Sequence, residues 1–285
     1  MAIKITSDRM IDLSFDELDK LNIATIPCYI NMDGKSYNDL DDIFPEDIFA
    51  YVERTKKMAM TAAKPPEAYA EFFEPFIKNG DTIIHFATSS GISAICSYSK
   101  VAAETFKNKI FVVDTLKLSN GIAILAKYAI DLIKKGEKNA KKIADMCTAL
   151  IPKIACSFFL NDLEFLYRGG RCSGFAYYGA NLLKIKPVIA MDETGHMTVR
   201  EKIKGKYEPA IKTYIQRNLE KYPPRKEAQD LYVPYSVKDD ETKEYILKVI
   251  AEFGYKFNNI YFNKCGCNCA VHCGRNAIGM FYIME

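Results

Sequence analysis

The fold is decided by the stretch DTIIHFATSSGISA, residues 81–94. Its first half, from Asp81 to Ala87, is an apolar run with the length of a buried strand. The serine- and glycine-rich turn that follows is typical of the start of a helix, which we predict over residues 91–106. A strand that passes directly into a helix is the repeating unit of parallel α/β sheets, so this stretch predicts such a sheet.

The residues on either side continue this alternation of strand and helix. Before residue 81 the predicted elements are strands at 3–6 and 23–30, an Asp-Gly hairpin turn at 31–36, a short helix from Ser14 and a helix from Pro65 to Gly80. After it, the predicted elements are a strand at 110–113 and a helix at 120–135. We therefore expect an N-terminal α/β/α sandwich, with helices on both faces of a parallel sheet.

The second half of the chain has a different pattern, with hairpins and fewer helices. The predicted strands are 185–191, 197–203, 231–237, 259–262 and 280–284. The predicted helices are 161–168, 174–183, 207–222 and 241–253. This pattern favours an α+β domain with a mainly antiparallel sheet. We place the boundary near residue 156, which predicts an N-terminal domain at 1–156 and a C-terminal domain at 157–285.

Composition excludes several classes of protein. The 285 residues are 49% hydrophobic and 26% charged, and 39 basic residues balance 36 acidic ones. Such a balance offers no basic surface for nucleic acid, so no nucleic-acid partner is expected. The apolar runs are too short to span a membrane, and no signal peptide is evident, so we predict a cytoplasmic protein without stable membrane insertion. The nine cysteines are then expected to be free thiols.

Two turns have the chemistry to bind an anion. In residues 87–94, free backbone N–H groups at the start of a helix lie beside the hydroxyls of Ser89, Ser90 and Ser93. Simple capping of the helix would also explain this segment. In the second turn, Arg168 and Arg171 flank two glycines, which places cations on a tight turn or merely ends a helix. By contrast, residues 60–66 alone indicate only the N-terminus of a helix.

A cysteine-rich segment near the C-terminus invites comparison with metal sites. Cys265, Cys267, Cys269 and Cys273 lie within nine residues, together with His272. Alternate residues of a strand lie about 6.6 Å apart, whereas sulfurs that share a zinc ion must lie within about 4 Å. A strand could not chelate without folding into a loop, so we predict no metal ion here. A metal- or redox-responsive protein stays an alternative.

The three histidines give little support for catalysis. His85 lies in a predicted buried strand and is expected to be a core residue, and His196 lies at a hairpin turn and is expected to be exposed. His272 could pair with Ser93 as in a hydrolase. The chain lacks the Gly-x-Ser-x-Gly turn that positions such a serine, so this hydrolase or transferase stays an alternative.

Taken together, segments along nearly the whole chain resemble the DegV family of bacterial fatty-acid-binding proteins. Their order and spacing are more specific than any one of them. The segments are Ile5-Thr6-Ser7-Asp8 with Asp12-Leu13; Ile26-Pro27 and Asp33-Gly34-Lys35; Thr61 ahead of Pro65; Ser89-Ser90-Gly91-Ile92-Ser93; Val113-Asp114-Thr115 with Ser119 and Gly121; Asp162 to Leu166 with Arg168-Gly169-Gly170-Arg171; Lys186-Pro187; and His272 with Gly274.

This resemblance implies a two-domain protein that holds a long-chain fatty acid between its domains. It implies that the hydroxyls of Thr61 and Ser93, with backbone N–H groups at Ser93 and Ala94, bind the carboxylate. It also implies that His272 lies near the head group, and that Arg171 faces the head group or a partner. In several bacteria a protein of this family carries the lipid for a separate ATP-binding kinase, which forms an acyl-phosphate, so the resemblance also implies a possible kinase partner. We therefore predict a non-catalytic carrier, with a bound fatty acid and no cofactor.

The sequence departs from the family pattern around the expected head group. Ser7-Asp8 has the reverse order of the family pattern, and Ala62-Ala63-Lys64 replaces the usual residues after Thr61. Ala94-Ile95 replaces the usual residues after Ser93, and Gly274-Arg275-Asn276 replaces those after His272. Lys64 and Arg275 add two cations to these segments. Our hypothesis is that this member accepts a more anionic head group or docks a different partner. Ser90, which belongs to a matching segment, is also expected to contact the head group or a partner.

Overall fold

The computed structural model describes residues 2–161, 163–171, 186–227, 229–236 and 240–285. The predicted helix at 174–183 lies outside these residues. The strands are β1 (Ile3–Asp8), β2 (Ile23–Ile26), β3 (Tyr29–Met32), β4 (Lys35–Asn38), β5 (Met60–Ala62), β6 (Thr82–Ala87), β7 (Ile110–Asp114), β8 (Ile154–Phe159), β9 (Lys186–Met191), β10 (Met197–Ile203), β11 (Leu231–Tyr232), β12 (Ile260–Tyr261) and β13 (Ile278–Ile283). The helices are α1 (Phe15–Leu21), α2 (Pro45–Thr55), α3 (Pro66–Lys78), α4 (Ile95–Glu104), α5 (Asn120–Lys134), α6 (Ala140–Leu150), α7 (Glu164–Arg168), α8 (Tyr207–Lys221), α9 (Asp240–Glu252) and α10 (Cys267–Cys273).

The N-terminal half is built on a parallel sheet of order β2-β1-β6-β7. Ile5 of β1 pairs with Ile23 on one side and with Ile84 on the other. Helices α3 and α4 pack together, α5 and α6 pack together, and both pairs contact the sheet. This arrangement confirms the parallel α/β architecture predicted from residues 81–94.

The C-terminal half is built on a mixed sheet of order β10-β9-β8-β13-β11-β12. Its pairs are antiparallel except for β11 with β12. The mainly antiparallel sheet predicted for this half is therefore confirmed. Residue 156 lies within β8, a strand of this second sheet, so the sheet begins slightly before the predicted domain boundary. The boundary itself stays a prediction.

A small third sheet, of order β4-β3-β5, was not predicted. The single strand predicted at 23–30 is wrong, because the chain leaves the parallel sheet after β2 and enters this third sheet at β3. Pro27 lies at the break, where its missing N–H group prevents a continuous ladder. The predicted turn between β3 and β4 is confirmed: Asp33 and Gly34 both have positive φ, as the favoured two-residue hairpin turn requires.

Two other segments differ from their predicted conformations. Residues 60–62, expected at the N-terminus of a helix, form β5, in which Thr61 pairs with Ile30. The cysteine-rich segment, considered as a strand, forms helix α10. The carboxylate of Asp39 accepts hydrogen bonds from the backbone N–H groups of Cys267 (2.8 Å) and Asn268 (3.2 Å). Because this N-terminal cap comes from a distant residue, the local sequence does not reveal it.

A continuous hydrophobic core joins the two large sheets. It includes Ile84 from the first sheet and Phe158, Ile189 and Phe281 from the second. A separate core packs α8 and α9 against the second sheet, around Tyr214 and other buried residues. Both faces of the second sheet are therefore buried. A cavity lies where this sheet meets the first sheet. Among the described residues, no helix has the length and apolar character needed to cross a membrane.

Candidate functional site

A cavity of about 240 Å³ lies between the loop after β6, strand β5, the turn after α7 and helix α10. Its polar lining residues are Thr61, Thr88, Ser93, Arg171, Asn268 and His272. Its apolar lining includes Met10, Ile95, Leu118, Phe158 and Leu166, all of which are buried. Thr61, Ser93 and Arg171 are only half-buried, and Ala94 is exposed. The cavity thus has a polar, accessible part and an apolar, buried part.

The loop after β6 is positioned by a buried carboxylate. The backbone N–H and the hydroxyl of Thr88 donate to Asp8 over 2.7 and 2.8 Å, and the Met10 N–H donates over 3.0 Å. Burial raises the pKa of Asp8 to about 6, although these hydrogen bonds oppose the rise. Asp8 therefore ties the end of β1 to the end of β6, where ligands bind in sheets of this type.

The same loop contacts the hairpin of the second half. The Ser89 hydroxyl donates to the carbonyl of Gly195 over 2.7 Å. A Cβ atom at Gly91 would lie 2.5 Å from that carbonyl oxygen, so a glycine is required for this close approach. The loop and the β9–β10 hairpin thereby close one side of the cavity.

Ser93 and Ala94 lie at the N-terminus of α4, as predicted. The Ser93 hydroxyl oxygen accepts a hydrogen bond from the Ile95 N–H over 3.3 Å, which leaves its own proton free to be donated elsewhere. Backbone N–H groups and the helix dipole make this position receptive to an anion. Of the serines predicted in this loop, Ser93 faces the cavity.

His272 links helix α10 to strand β5 across the cavity. Its Nε2 atom and the Thr61 hydroxyl are hydrogen-bonded at 3.0 Å. Burial, followed by the nearby charge of Arg171, lowers the pKa of His272 to about 4. The ring is therefore neutral at neutral pH. Its Nδ1 atom is buried without a hydrogen-bond partner among the described residues, and a Cβ atom at Gly169 would lie 2.5 Å from it.

Arg171 supplies positive charge to the cavity. Its backbone N–H donates to the carbonyl of Leu166 over 3.1 Å, and its guanidinium donates to the carbonyl of Gly169 over 3.1 Å. Within the described part of the chain, it alone among the lining residues carries a permanent charge. An arginine at the edge of a partly apolar cavity is suited to a carboxylate ligand.

Three predicted head-group residues lie outside the cavity lining. Lys64 donates to Asn38 over 2.6 Å and lies 3.7 Å from the centre of the Tyr29 ring. Arg275 is paired with Glu53 at 3.0 Å. Ser90 is exposed, and its backbone N–H donates to Asp114. Lys64 and Arg275 thus already have partners within the chain, and the role of these three residues toward a head group or a partner stays a prediction.

The cysteines of α10 separate into two groups. Cys265, Cys269 and the carboxylate of Asp12 have ligand atoms within 4.8 Å of one another, and Cys273 follows Cys269 by one turn of α10. The Cys267 thiol instead donates to the carbonyl of Ile43 over 3.2 Å. Sequence reasoning missed Asp12 as a neighbour of the cysteines, since more than 250 residues separate it from Cys269 and no local pattern connects them.

The remaining histidines have the predicted environments. His85 is fully buried, its Nδ1 atom lies 3.0 Å from the Thr6 hydroxyl, and burial lowers its pKa to about 3. His196 is exposed. Ser93 and His272 line the same cavity, but the hydrogen bond from the His272 ring is to Thr61.

Comparisons with known proteins agree with this architecture. A family model described as "Uncharacterised protein, DegV family" matches residues 2–285. A DegV domain-containing protein of Caldanaerobacter subterraneus subsp. tengcongensis is 27% identical over 287 residues, which cover 98% of each chain.

Solved structures show the same fold over the whole length. A DegV family protein from Thermus thermophilus, reported for its fatty acid binding, has a TM-score of 0.88 at 24% identity, with all of both chains covered. The fatty acid kinase (Fak) B3 protein of Streptococcus pneumoniae, loaded with linoleic acid, has a TM-score of 0.84 at 18% identity, again with full coverage. The family match over residues 2–285 settles the relationship that the sequence segments predicted: this chain belongs to the DegV family.

Proposed function

We propose that this protein binds a long-chain fatty acid in the cavity. The carboxylate lies at the accessible part, where Thr61, Ser93 and the N–H of Ala94 donate to it. The acyl tail runs along the apolar lining that includes Leu118 and Phe158. One observation supports the proposal most directly: the same cavity contains hydrogen-bond donors, an arginine and a buried apolar lining.

Structural neighbours support this ligand class. The S. pneumoniae protein carries linoleic acid, and a neighbour from Eubacterium ventriosum is a stearic acid-binding protein with a TM-score of 0.85 at 23% identity. Since these identities are low, they support the fold directly and the ligand only by analogy. The polar and apolar parts of the cavity supply the independent argument.

The carboxylate and the acyl tail are expected to contribute unequally to the binding free energy. Each hydrogen bond to a charged carboxylate contributes about 1.5–3 kcal/mol. A tail of about fourteen methylenes contributes on the order of 11 kcal/mol before the costs of binding. The tail therefore supplies most of the affinity, and the head-group donors set the orientation.

This division suits a carrier that presents its ligand to another protein. We infer that the carboxylate faces outward, because Ala94 is exposed while the apolar lining is buried. A separate ATP-binding kinase could then phosphorylate it, in keeping with the likeness to a fatty acid kinase subunit. The protein itself needs no catalytic residue or cofactor for this role, and a cytoplasmic location is expected.

Native mass spectrometry of the purified protein tests the proposal. We expect a co-purified mass in the range of C14–C20 fatty acids. The Thr61→Val and Ser93→Ala variants should each bind the ligand roughly ten- to hundredfold more weakly, whereas Thr213→Val, a half-buried position on α8, should bind it as the wild-type protein does. Absence of any lipid, or hydrolysis of acyl esters that disappears in Ser93→Ala, would contradict the carrier role.

A further inference from the structure

Helix α10 and the turn before it carry a group of donor atoms that the proposed binding of the carboxylate does not use, although Cys269 and Cys273 also line the lipid cavity. Cys265 lies just before the helix and Cys269 lies within it. Their sulfur atoms and a carboxylate oxygen of Asp12 lie within 4.8 Å of one another. The Cys269 thiol and the Asp12 carboxylate are 3.4 Å apart. Cys273 follows Cys269 by one helical turn, which places both thiols on one face of the helix.

We propose that Asp12, Cys265, Cys269 and Cys273 form a binding site for a zinc ion beside the lipid cavity. Zinc binds cysteine thiolates and aspartate carboxylates, and its structural sites have four ligands in a tetrahedral arrangement. Three thiolates and one carboxylate give the ion the same ligand charge as a four-cysteine site. On binding, the thiol protons and the proton of the buried Asp12 carboxyl leave to solvent, so that all four groups bind the ion as anions.

The geometry lies close to that of a metal site. A zinc ion with bonds of about 2.3 Å to sulfur and about 2.1 Å to oxygen brings its ligand atoms to within about 4 Å of one another. The distance from Cys269 to Asp12 already meets this limit, and the distances to Cys265 need only small side-chain adjustments. Cys273 lies outside this group of three, so its side chain must move further to bind the same ion. The objection that a strand would keep the sulfurs apart no longer applies, because Cys269 and Cys273 lie on a helix and Cys265 lies just before it.

A further observation points to a cation at this position. Asp12 is buried, at 3% exposure, yet it belongs to none of the ion pairs formed by the described residues. Buried carboxylates are normally paired or coordinate a metal. The three thiols also border a small void of about 20 Å³, which is lined mainly by apolar residues and not by Asp12. This void leaves the thiols room to move, but it does not mark the position of an ion.

Asp12 also has a structural role that the test must separate from metal binding. Its other carboxylate oxygen accepts a hydrogen bond from the Gly266 N–H over 2.8 Å, so Asp12→Asn could disturb α10 without any metal. Cysteine-to-serine variants avoid this problem. Cys267→Ser is the matched control, because Cys267 lies on the same helix but contacts Ile43.

The site is tested on full-length protein prepared under reducing, oxygen-free conditions and stripped of metal. Zn²⁺ is titrated against a chromophoric chelator, and Co²⁺ is used as the spectroscopic probe. We expect one equivalent of either ion and the thiolate-to-cobalt absorption of a tetrahedral site. Cys265→Ser and Cys269→Ser should weaken binding by more than about tenfold, and Cys267→Ser should leave it unchanged.

The zinc and cobalt titrations of the wild-type protein can contradict the proposal by themselves. The test therefore does not depend on whether every variant folds. Sub-stoichiometric zinc with no thiolate absorption from Co²⁺ would contradict the site, as would equal loss in Cys267→Ser. A disulfide among these cysteines under the same conditions would also contradict it. Fatty acid is measured in the same samples by native mass spectrometry, so metal binding can fail while the carrier function stands.

Discussion

The loop after β6 and helix α10 form two walls of one cavity, but different kinds of interaction position them. Residues 88–94 follow a buried strand and lead directly into α4, so their place follows from the neighbouring sequence. Helix α10 has only seven residues, and its N-terminus is capped by Asp39, which is 228 residues away from Cys267. The first wall is a property of a local strand–turn–helix unit, whereas the second depends on tertiary contacts.

Removing the distant cap should have the largest effect. In Asp39→Ala, the buried N–H groups of Cys267 and Asn268 lose their acceptor, which should lower the free energy of unfolding by about 3 kcal/mol. Fatty acid binding should weaken as well, since α10 carries His272. Urea denaturation with and without fatty acid measures both effects.

The local cap of α1 is the matched control for Asp39. Ser14 and Glu17 form an exposed capping box, so Ser14→Ala should cost about 1 kcal/mol and leave binding unchanged. If the two variants were equally destabilised, α10 would not depend on its distant cap more than α1 depends on its local one.

The contact between Gly169 and His272 should have the next largest effect. A Cβ atom in Gly169→Ala would overlap the His272 ring, so the ring must move away from Thr61. We expect a loss of stability of about 1–3 kcal/mol and weaker fatty acid binding. Fluorescent fatty acid displacement gives the affinity.

Gly170→Ala tests whether crowding of His272 is the cause. Gly170 has φ +71° and open space around its Cβ position, so this variant adds only backbone strain of about 1 kcal/mol. An equal loss of affinity in both variants would show that the turn, and not the histidine contact, controls binding.

The pH dependence of stability compares two buried groups of the parallel sheet. Burial lowers the pKa of His85 to about 3 in the folded protein. As the pH falls below about 6.5, this histidine takes up a proton in the unfolded chain but not in the folded one, so the free energy of unfolding decreases. The pKa of Asp8 is raised to about 6, so the folded chain binds the extra proton between about 6 and 4, and stability increases. In the wild-type protein the two effects oppose each other.

His85→Gln should remove the His85 effect and leave the effects of Asp8 and of the other buried groups, His272 among them, unchanged. Relative to wild type, the variant should therefore gain about 1 kcal/mol of unfolding free energy for each pH unit below about 6. Urea denaturation between pH 4 and pH 7 (about three units) measures both curves. Parallel curves would mean that His85 is protonated in the folded protein.

The smallest effects are expected for Lys64→Ala and Arg275→Ala. Both side chains lie outside the cavity lining, and the Arg275–Glu53 pair is partly exposed, so stability should change by less than about 1 kcal/mol. Fatty acid affinity and the identity of the ligand should stay as in the wild-type protein. A change in ligand identity would support the head-group hypothesis for these cations.

The comparison of the two walls also explains how much the sequence could reveal. The apolar run of β6, its serine-rich turn and the Asp-Gly hairpin are local signals, and each was predicted correctly. Strand β5 was missed because Met60–Ala62 is short and pairs with the distant Tyr29–Met32. Family resemblance identified Thr61, Ser93, Arg171 and His272, all of which line the cavity. Asp12 has no local signal that relates it to the cysteines, so only the fold brings them together.

The most direct test of the central claim is a high-resolution crystal structure of the protein purified without added lipid. We predict density for an extended acyl chain along Leu118 and Phe158, with its carboxylate within hydrogen-bonding distance of Thr61, Ser93 and the Ala94 N–H. An acyl chain bound elsewhere, or a carboxylate directed toward the buried apolar part of the cavity, would contradict the account.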